Sequence, residues 1–211
     1  MVEVFIDDKS CELDIDSAGN VGEAIDAVSR QLEGMRRCML ELELDGTEVG
    51  PAEISSFFQK PVGEFCRLDI KTAAITTLVL QLIDELSGYI SNLSECIVGV
   101  AAALKTDDPS EGLEGLGQVA EAWIEILERI MSAFQMLGLD PAETIIEGQS
   151  AAKRHEELSA TLNAVCKLAE DQDFYALSEI LEHDLAPHIA GEAELIEYLR
   201  DACEKLDSDS A

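Results

Sequence analysis

The stretch that decides the fold begins ITTLVLQLIDEL at Ile75 and ends SAFQML at Leu137, with KTDDPS at residues 105–110 between its two halves. In each half, apolar residues recur at alternating steps of three and four. They are Val79, Leu82, Leu86, Tyr89, Leu93, Cys96, Val100 and Ala103 in the first half, and Leu116, Ala120, Trp123, Leu127, Ile130, Phe134 and Leu137 in the second. An a/d pattern sustained over about three heptads predicts two long amphipathic helices that form a hairpin.

The composition is that of a globular and mainly helical protein. Apolar residues make up 47% of the 211 residues and aromatic residues only 5%. This length allows one or two domains with a proper core, and the apolar content is too high for a disordered chain.

The charge balance limits the partners that the chain can bind. Forty-four acidic residues against fourteen basic ones give a net charge of −30. A surface of this kind repels nucleic acids and anionic membranes, so neither is an expected partner. Two interpretations stay open: a solvated surface suited to a salty habitat, or an acidic face that docks a basic protein.

The six cysteines stand singly and form no C-x-x-C pair. Cys96 and Cys203 fall at apolar phases of predicted helices, so we expect reduced core thiols rather than disulfides or metal ligands. We therefore expect a cytoplasmic protein without a cofactor. The amino terminus has no signal-peptide pattern, and no apolar run reaches the roughly 18 residues of a membrane span.

Residues 1–72 carry an α+β pattern. Alternating apolar residues predict strands over Val2–Ile6, over Cys11, Leu13 and Ile15, over Leu40, Leu42 and Leu44, and near Phe65–Ile70. Asn20 is a candidate N-cap with Glu23 three residues later, so a helix is predicted to run to Gly34. A short helix is predicted after Pro51, with Ile54, Phe57 and Phe58 on it, and a further helix is predicted from Lys71.

This order of strand, strand, helix, strand, short helix, strand resembles the β-grasp (ubiquitin-like) fold. The resemblance implies a mixed sheet around one helix and a platform that binds other proteins. The segment does not end in Gly-Gly but continues into Lys71-Thr-Ala-Ala, so a conjugated modifier is not expected.

The pattern over residues 73–206 predicts an antiparallel four-helix-type bundle with no strands. The second helix ends at Gly138, a third spans about 150–169, and a fourth begins near Phe174 and is kinked or broken at Pro187. Residues 207–211 are predicted to form an acidic disordered tail. Glycines 112, 115 and 117 leave two alternatives for the second helix: a close approach to a neighbour, or a later start near Gln118.

The residues best suited to chemistry are Glu182, His183 and His188, beside Pro187. These residue types suit a metal site or acid–base catalysis. The two histidines lie five residues apart, about 140° around a helix, and the paired Glu-x-x-His signature of di-iron bundles is absent. We therefore favour polar residues that solvate a kink, and predict no catalytic residue. A small-ligand or metal-binding protein, or an enzyme, remains the alternative.

The segments Asp45-Gly-Thr-Glu-Val49, Lys60-Pro61 and Asp173–Pro187 resemble a group of uncharacterised bacterial proteins that pair a small α+β module with a helical bundle. The acidic helical half is similar in size and pattern to flagellar export chaperones, which hold helices of a partner, although no residue motif carries this likeness. We expect a non-enzymatic adaptor or chaperone-like protein that binds a protein partner, and a basic partner would suit its acidic surface. Candidate contact residues are Trp123, Phe134 and Met136, with Phe57 and Phe58 on the first module. A structural homodimer is a third alternative.

Overall fold

The computed structural model describes residues 2–11, 18–50, 53, 56–106 and 108–208. The chain divides into two compact units, Met1–Leu78 and Val79–Ala211. The predicted second strand beyond Cys11, with Leu13 and Ile15, lies outside the described residues, as do Pro51 and Ile54 of the short helix and the last three residues of the tail. The first two residues of the predicted tail, Asp207 and Ser208, are helical rather than disordered, because the last helix continues through them. Of the predicted short helix, residues 53, 56 and 57 are described and are helical.

The first unit is built on a five-stranded mixed sheet, which confirms the α+β class. Its elements are β1 (Glu3–Ile6), β2 (Lys9–Cys11), α1 (Val21–Gly34), β3 (Arg37–Leu44), β4 (Thr47–Glu48) and β5 (Arg67–Ala74). The strand order is β2-β1-β5-β3-β4. The central strands β1 and β5 are parallel, and the remaining pairs are antiparallel.

Helix α1 forms where the sequence predicts it. The Asn20 side chain accepts a hydrogen bond from the Glu23 backbone N–H at 2.9 Å, and the Glu23 carboxylate accepts one from the Gly19 N–H at 2.7 Å. This reciprocal cap satisfies backbone donors that the first turn leaves free. The apolar face of α1 is buried against the sheet and includes Val21, Ile25, Val28 and Leu32.

Two features of the sheet differ from the prediction. Residues 71–74 belong to β5 rather than to a helix, because Thr72, Ala73 and Ala74 pair with β3. Pairing with a distant strand here overrides the local helix preference of alanine. Leu40 is 54% exposed although it alternates with buried Leu42, since the register of β3 shifts between Met39 and Glu41.

The second unit is mainly helical. Its elements are α2 (Ile75–Leu104, whose first four residues belong to the first unit), α3 (Ser110–Leu137), β6 (Ile145–Ile146), β7 (Gln149–Ser150), α4 (Ala151–Glu170), α5 (Phe174–Ile180), a π-helical turn (Leu181–Leu185) and α6 (Ala186–Ser208). Within the described residues, no helix has the length and apolar content that crossing a membrane requires.

The hairpin of β6 and β7 corrects the expectation that this half contains no strands. The two strands pair through Ile145 with Ser150 and Ile146 with Gln149. The two residues between them, Glu147 and Gly148, both have positive φ, at 50° and 86°. Such a two-residue turn matches the twist of a hairpin. A strand signal of only two residues is too short to recognise by alternation.

The glycines of α3 allow α2 to come close. The helix begins at Ser110, so the alternative of a start near Gln118 is wrong. A Cβ added to Gly115 would lie 2.7 Å from Val100 Cγ2, well inside van der Waals contact. The predicted close approach to a neighbour is therefore confirmed at Gly112 and Gly115, whereas a Cβ at Gly117 would meet no described heavy atom within 4 Å.

The buried face of α2 differs in phase from the predicted stripe. Its buried apolar positions are Val79, Ile83, Leu86, Ile90, Leu93, Ile97, Val100, Ala101 and Leu104. Tyr89 and Cys96 belong to the predicted apolar pattern of this helix, but both are exposed.

The helix that contains Pro187 is not broken at this residue, which corrects one of the two predicted alternatives. The π-helical turn precedes this residue, and the Ala186 N–H donates to the carbonyl of Leu181, five residues earlier. Proline then occupies the first turn of α6, where a missing N–H is tolerated. Leu177, Leu181, Leu185 and Ile189, spaced four apart, are all fully buried. In a regular α-helix, side chains four residues apart are offset by about 40° around the axis. The wider π-helical turn compensates for this offset.

Candidate functional site

The predicted contact residues of the second unit lie mostly in its core. Trp123 is 3% exposed and Phe134 is 1% exposed, while Met136 is half-buried. Trp123 and Phe134 have no surface to offer a partner in this conformation. A contact surface on this unit must therefore use other residues.

The predicted contact residues of the first unit, Phe57 and Phe58, are half-buried against its core. The Phe57 ring lies 6.3 Å from the Phe65 ring, and Lys60 Nζ stands 3.7 Å from the Phe57 centroid. The Phe58 carbonyl accepts a hydrogen bond from the Gly22 N–H at the start of α1. These contacts give both aromatic residues a packing role within their own unit.

The main open cavity of the second unit is a groove between α2 and α3. It consists of two adjoining cavities of about 670 and 240 Å³. Both are lined by Leu93, Cys96 and Ala122, so they form one continuous depression. We call it the α2–α3 groove.

Four Gly and Ala residues lie in the lining of the α2–α3 groove. Gly99 and Ala103 line it from α2, and Gly115 and Ala122 line it from α3, beside larger apolar residues such as Val100 and Val119. From α2, the groove is lined by Tyr89, Cys96 and Ala103, which all belong to the apolar pattern predicted from the sequence.

The rim of the groove is acidic. Glu111 and Glu114 stand at one end, and neither forms an ion pair within the part of the chain that the structure describes. At the other end Arg129 contacts Glu125 at 2.6 Å and Glu85 at 2.9 Å. The hydrogen bond to Glu125 is the main reason that the pKa of Arg129 is raised. Its charge is already balanced, so the rim as a whole is negative.

Large apolar side chains are exposed on the same two helices. They are Tyr89 and Val98 on α2, and Leu113, Ile124 and Met131 on α3. The three on α3 are separated by eleven and seven residues, which places them on one line along that helix. This line is a second apolar surface of the hairpin, outside the groove.

Of the residues predicted for the alternative metal site, only Glu182 and His183 lie close together. Ligand atoms of Glu179, Glu182 and His183 lie within 4.8 Å of one another. Lys105 Nζ contacts Glu182 at 2.9 Å and Glu179 at 3.2 Å, so it supplies the positive charge that a metal ion would bring. The hydrogen bond from Lys105 is also the largest cause of the lowered pKa of Glu182.

His188 does not join this cluster. It lines a different cavity, of about 280 Å³, together with Arg154, Gly191 and Glu192. Near this cavity, His155 Nε2 and Glu192 Oε2 are 3.6 Å apart, and neither atom has a hydrogen-bond partner among the described residues. Sequence patterns do not predict this pair, because the two residues lie on different helices.

The cysteines are free, and only Cys203 is fully buried. Burial is the main cause that raises the pKa of its thiol, which makes it unreactive. Cys96, predicted to be a core residue, is exposed in the α2–α3 groove. Cys66 and Cys166 are exposed elsewhere.

Two protein-family models match this chain. One, described as a domain of unknown function (DUF8042), matches residues 81–191, more than half of the 211 residues, and the chain belongs to this family. The other, described as the TP0873 N-terminal domain, matches residues 2–74. The comparisons with curated proteins and with solved structures gave no match. Because neither family description states an activity, a functional proposal depends on the geometry of the chain itself.

Proposed function

We propose that this protein is a non-enzymatic adaptor or chaperone-like protein that binds another protein through the α2–α3 groove. The observation that supports this function is an open apolar groove with an acidic rim. Grooves between amphipathic helices are a common docking place for a helix of a partner. The exposed apolar side chains of the same hairpin add contact area beyond the groove.

The architecture proposed with this function is a β-grasp module followed by an antiparallel four-helix-type bundle. The strand order β2-β1-β5-β3-β4, with β1 and β5 parallel and α1 against the sheet, supports the first part. Long helices with short connections support the second. The free cysteines favour a reducing cytoplasm as the compartment.

A site-directed photo-cross-linking experiment tests the function. One variant keeps Cys96 as its reactive thiol, and a matched control keeps Cys166, which is exposed on α4. The other cysteines are changed to serine, apart from buried Cys203. Each protein is labelled with a photo-activated cross-linker and irradiated in lysate of the source organism. We expect a discrete protein adduct from Cys96 that excess unlabelled protein suppresses and that Cys166 does not give. Equal adduct patterns from both positions, or none from Cys96, would contradict the adaptor function.

A metal or small-ligand site is the second candidate. The three ligand atoms of Glu179, Glu182 and His183 favour it. A divalent cation would have to displace Lys105, so zinc should bind measurably tighter to Lys105→Met than to the unmodified protein if this site is functional. Equilibrium dialysis with zinc, using His183→Ala as the control, decides the question.

A structural homodimer is the third candidate. The exposed line of Leu113, Ile124 and Met131 would have to pair across a twofold axis. The net charge of −30 opposes this pairing through like-charge repulsion. If the homodimer exists, light scattering should show a dimer at high salt, where the repulsion is screened, and less of it at low salt.

A further inference from the structure

We infer that the α2–α3 groove takes one amphipathic helix of about four turns that presents small residues to the groove and carries Lys or Arg along its flanks. The inference rests on the proposed function and names the class of partner for the same site. It follows from the length of the groove, the size of its lining residues and the charge of its rim.

The length follows from the residues that line the groove on α2. They extend from Tyr89 to Ala103. At 1.5 Å per residue this span is about 21 Å, or about four helical turns. A strand of the same length would leave its backbone N–H and C=O groups without partners against helical walls, so a helix is the conformation that fits.

The preference for small residues follows from the groove lining. Gly99, Ala103 and Ala122 have little or no side chain, so a docked helix backbone can come close to α2 and α3 at these positions. Helices that approach closely do so through Gly, Ala and Ser at the interface. The hairpin itself shows this packing, since Gly115 brings α3 against Val100. A docked helix with Ala at every third or fourth position extends the same packing to a third helix.

The basic flanks follow from the rim. Glu111 and Glu114 have no described counter-ion, and Arg129 is already shared by Glu85 and Glu125. A docked helix with Lys or Arg on its flanks would supply the missing positive charge and be steered by the overall negative field. The α2–α3 hairpin of a second copy fits poorly, because α2 contains no Lys or Arg and α3 contains Arg129 alone.

Three fluorescent helical peptides of about 18 residues test this inference. The first has Ala at the groove-facing positions and Lys on both flanks. The second replaces each Lys by Glu, and the third replaces each groove-facing Ala by Leu. Binding to the full-length protein is measured by fluorescence anisotropy at low salt. We expect the first peptide to bind at least about tenfold more tightly than either of the others.

Two pairs of variants place the peptide in the groove. Gly99→Leu adds a side chain to the groove lining, and its Cβ has room because a Cβ at residue 99 meets no described heavy atom within 4 Å. Gly117→Leu is the matched control on α3, equally free of contacts and outside the groove lining. We expect Gly99→Leu to weaken binding of the first peptide at least about tenfold, and Gly117→Leu to change it less than about twofold.

The second pair tests the rim. Glu111→Gln/Glu114→Gln and Glu121→Gln/Glu128→Gln remove the same charge, but only the first two residues line the groove. The rim pair should weaken binding by about threefold or more, and the control pair by less.

Each outcome decides the inference. It is overturned if none of the peptides binds, if the Glu-flanked or Leu-faced peptide binds as well as the first, if Gly99→Leu leaves the affinity unchanged, or if the rim pair weakens binding no more than the control pair. A specific adduct at Cys96 together with any of these results would leave the adaptor function standing with a different kind of partner. Absence of that adduct would reject the function itself, so the two failures are distinguishable.

Discussion

Gly112 lies so close to Leu104 that a Cβ at residue 112 would be 2.7 Å from Leu104 Cγ and 2.9 Å from the Leu104 backbone nitrogen. The end of α2 and the first turn of α3 therefore touch with no room for a side chain between them. The backbone atom matters most, because it cannot move aside as a side chain can.

Gly112→Ala should destabilise the second unit by about 1–3 kcal/mol, the usual cost of overpacking. Gly117→Ala is the control, because Gly117 is also in α3 but meets no described heavy atom within 4 Å. It should stabilise the helix by up to about 1 kcal/mol. Urea unfolding followed by the fluorescence of Trp123, the only tryptophan of the chain, measures both. Equal effects of the two substitutions would show that the helices are further apart than described.

The pair of His155 and Glu192 predicts a contrast between a single and a double substitution. The side chains are 15% and 3% exposed, and their facing atoms have no other described partner. Removal of His155 leaves a buried carboxylate alone, so His155→Ala should cost about 3 kcal/mol. His155→Leu/Glu192→Met removes both polar groups and should be as stable as the unmodified protein or more stable. Urea unfolding compares them, and a double variant less stable than His155→Ala would refute the expectation.

Asp7 gives the first unit a predictable response to pH. Its carboxylate accepts hydrogen bonds from the Thr72 hydroxyl at 2.7 Å and from the Thr72 N–H at 2.8 Å, and it contacts Arg37 at 2.9 Å. The Thr72 hydroxyl is the largest cause of the lowered pKa of Asp7. Thr72→Val should therefore raise the pKa of Asp7 towards its ordinary value, as measured by NMR titration of the carboxyl carbon.

The sign of the stability effect follows from the lowered pKa. The unfolded state binds more protons than the folded state between the ordinary aspartate value, about 4, and the lower folded pKa. The contribution of Asp7 is complete above pH 4 or so, and it is lost as the pH falls through the folded pKa. Asp7→Asn suits the positive φ of 49° at this residue and should cost no more than about 1 kcal/mol at neutral pH. Amide hydrogen exchange in β5 should show that the difference in stability between Asp7→Asn and the unmodified protein disappears in acid.

The net charge predicts that salt stabilises the protein. The Debye length falls to about 3 Å at 1 M salt, which screens most repulsion among surface carboxylates. We expect the thermal midpoint to rise between low and high NaCl. Glu121→Gln/Glu128→Gln should raise the midpoint at low salt and reduce its response to salt. A midpoint that falls with salt would show that the surface ion pairs outweigh the repulsion.

Local signals predicted the elements whose causes are local. Asn20 and Glu23 mark the start of α1 because a cap depends on residues three apart. Residues 71–74 were misassigned because their strand state depends on Arg37–Met39, more than thirty residues away. No window around Lys71 contains that information.

The phase of α2 could not be predicted because the helix is apolar over much of its circumference. Leu86 and Leu93 belong to both the predicted and the observed buried faces. Ile90 and Ile97 complete the observed face, whereas Tyr89 and Cys96 complete the predicted one. Both sets have heptad spacing, and the choice between them depends on the packing of the whole unit.

The candidate site was harder to predict than the fold. Large aromatic residues suggested contact surfaces, yet Trp123 and Phe134 are core residues because their size makes burial most favourable. The groove instead has Gly99, Ala103, Gly115 and Ala122 in its lining, and none of these was a predicted contact residue. The available signal was the presence of Gly99 and Gly115 inside two long helices, where glycine costs stability unless a neighbour needs the space.

The wide turn at Leu181–Leu185 has a consequence for how the length of this chain can vary between relatives. A π-helical turn contains about one residue more than an α-helical turn. Without that extra residue, the flanking helices would keep the rotation of their side chains about the helix axis. Loss of a single residue there, such as exposed Asp184, should let the segment close as ordinary α-helix with Ile189 still directed into the core. The same loss later in α6 would rotate every following side chain by about 100°. This turn is therefore the point in the second unit where a one-residue deletion or insertion is least costly.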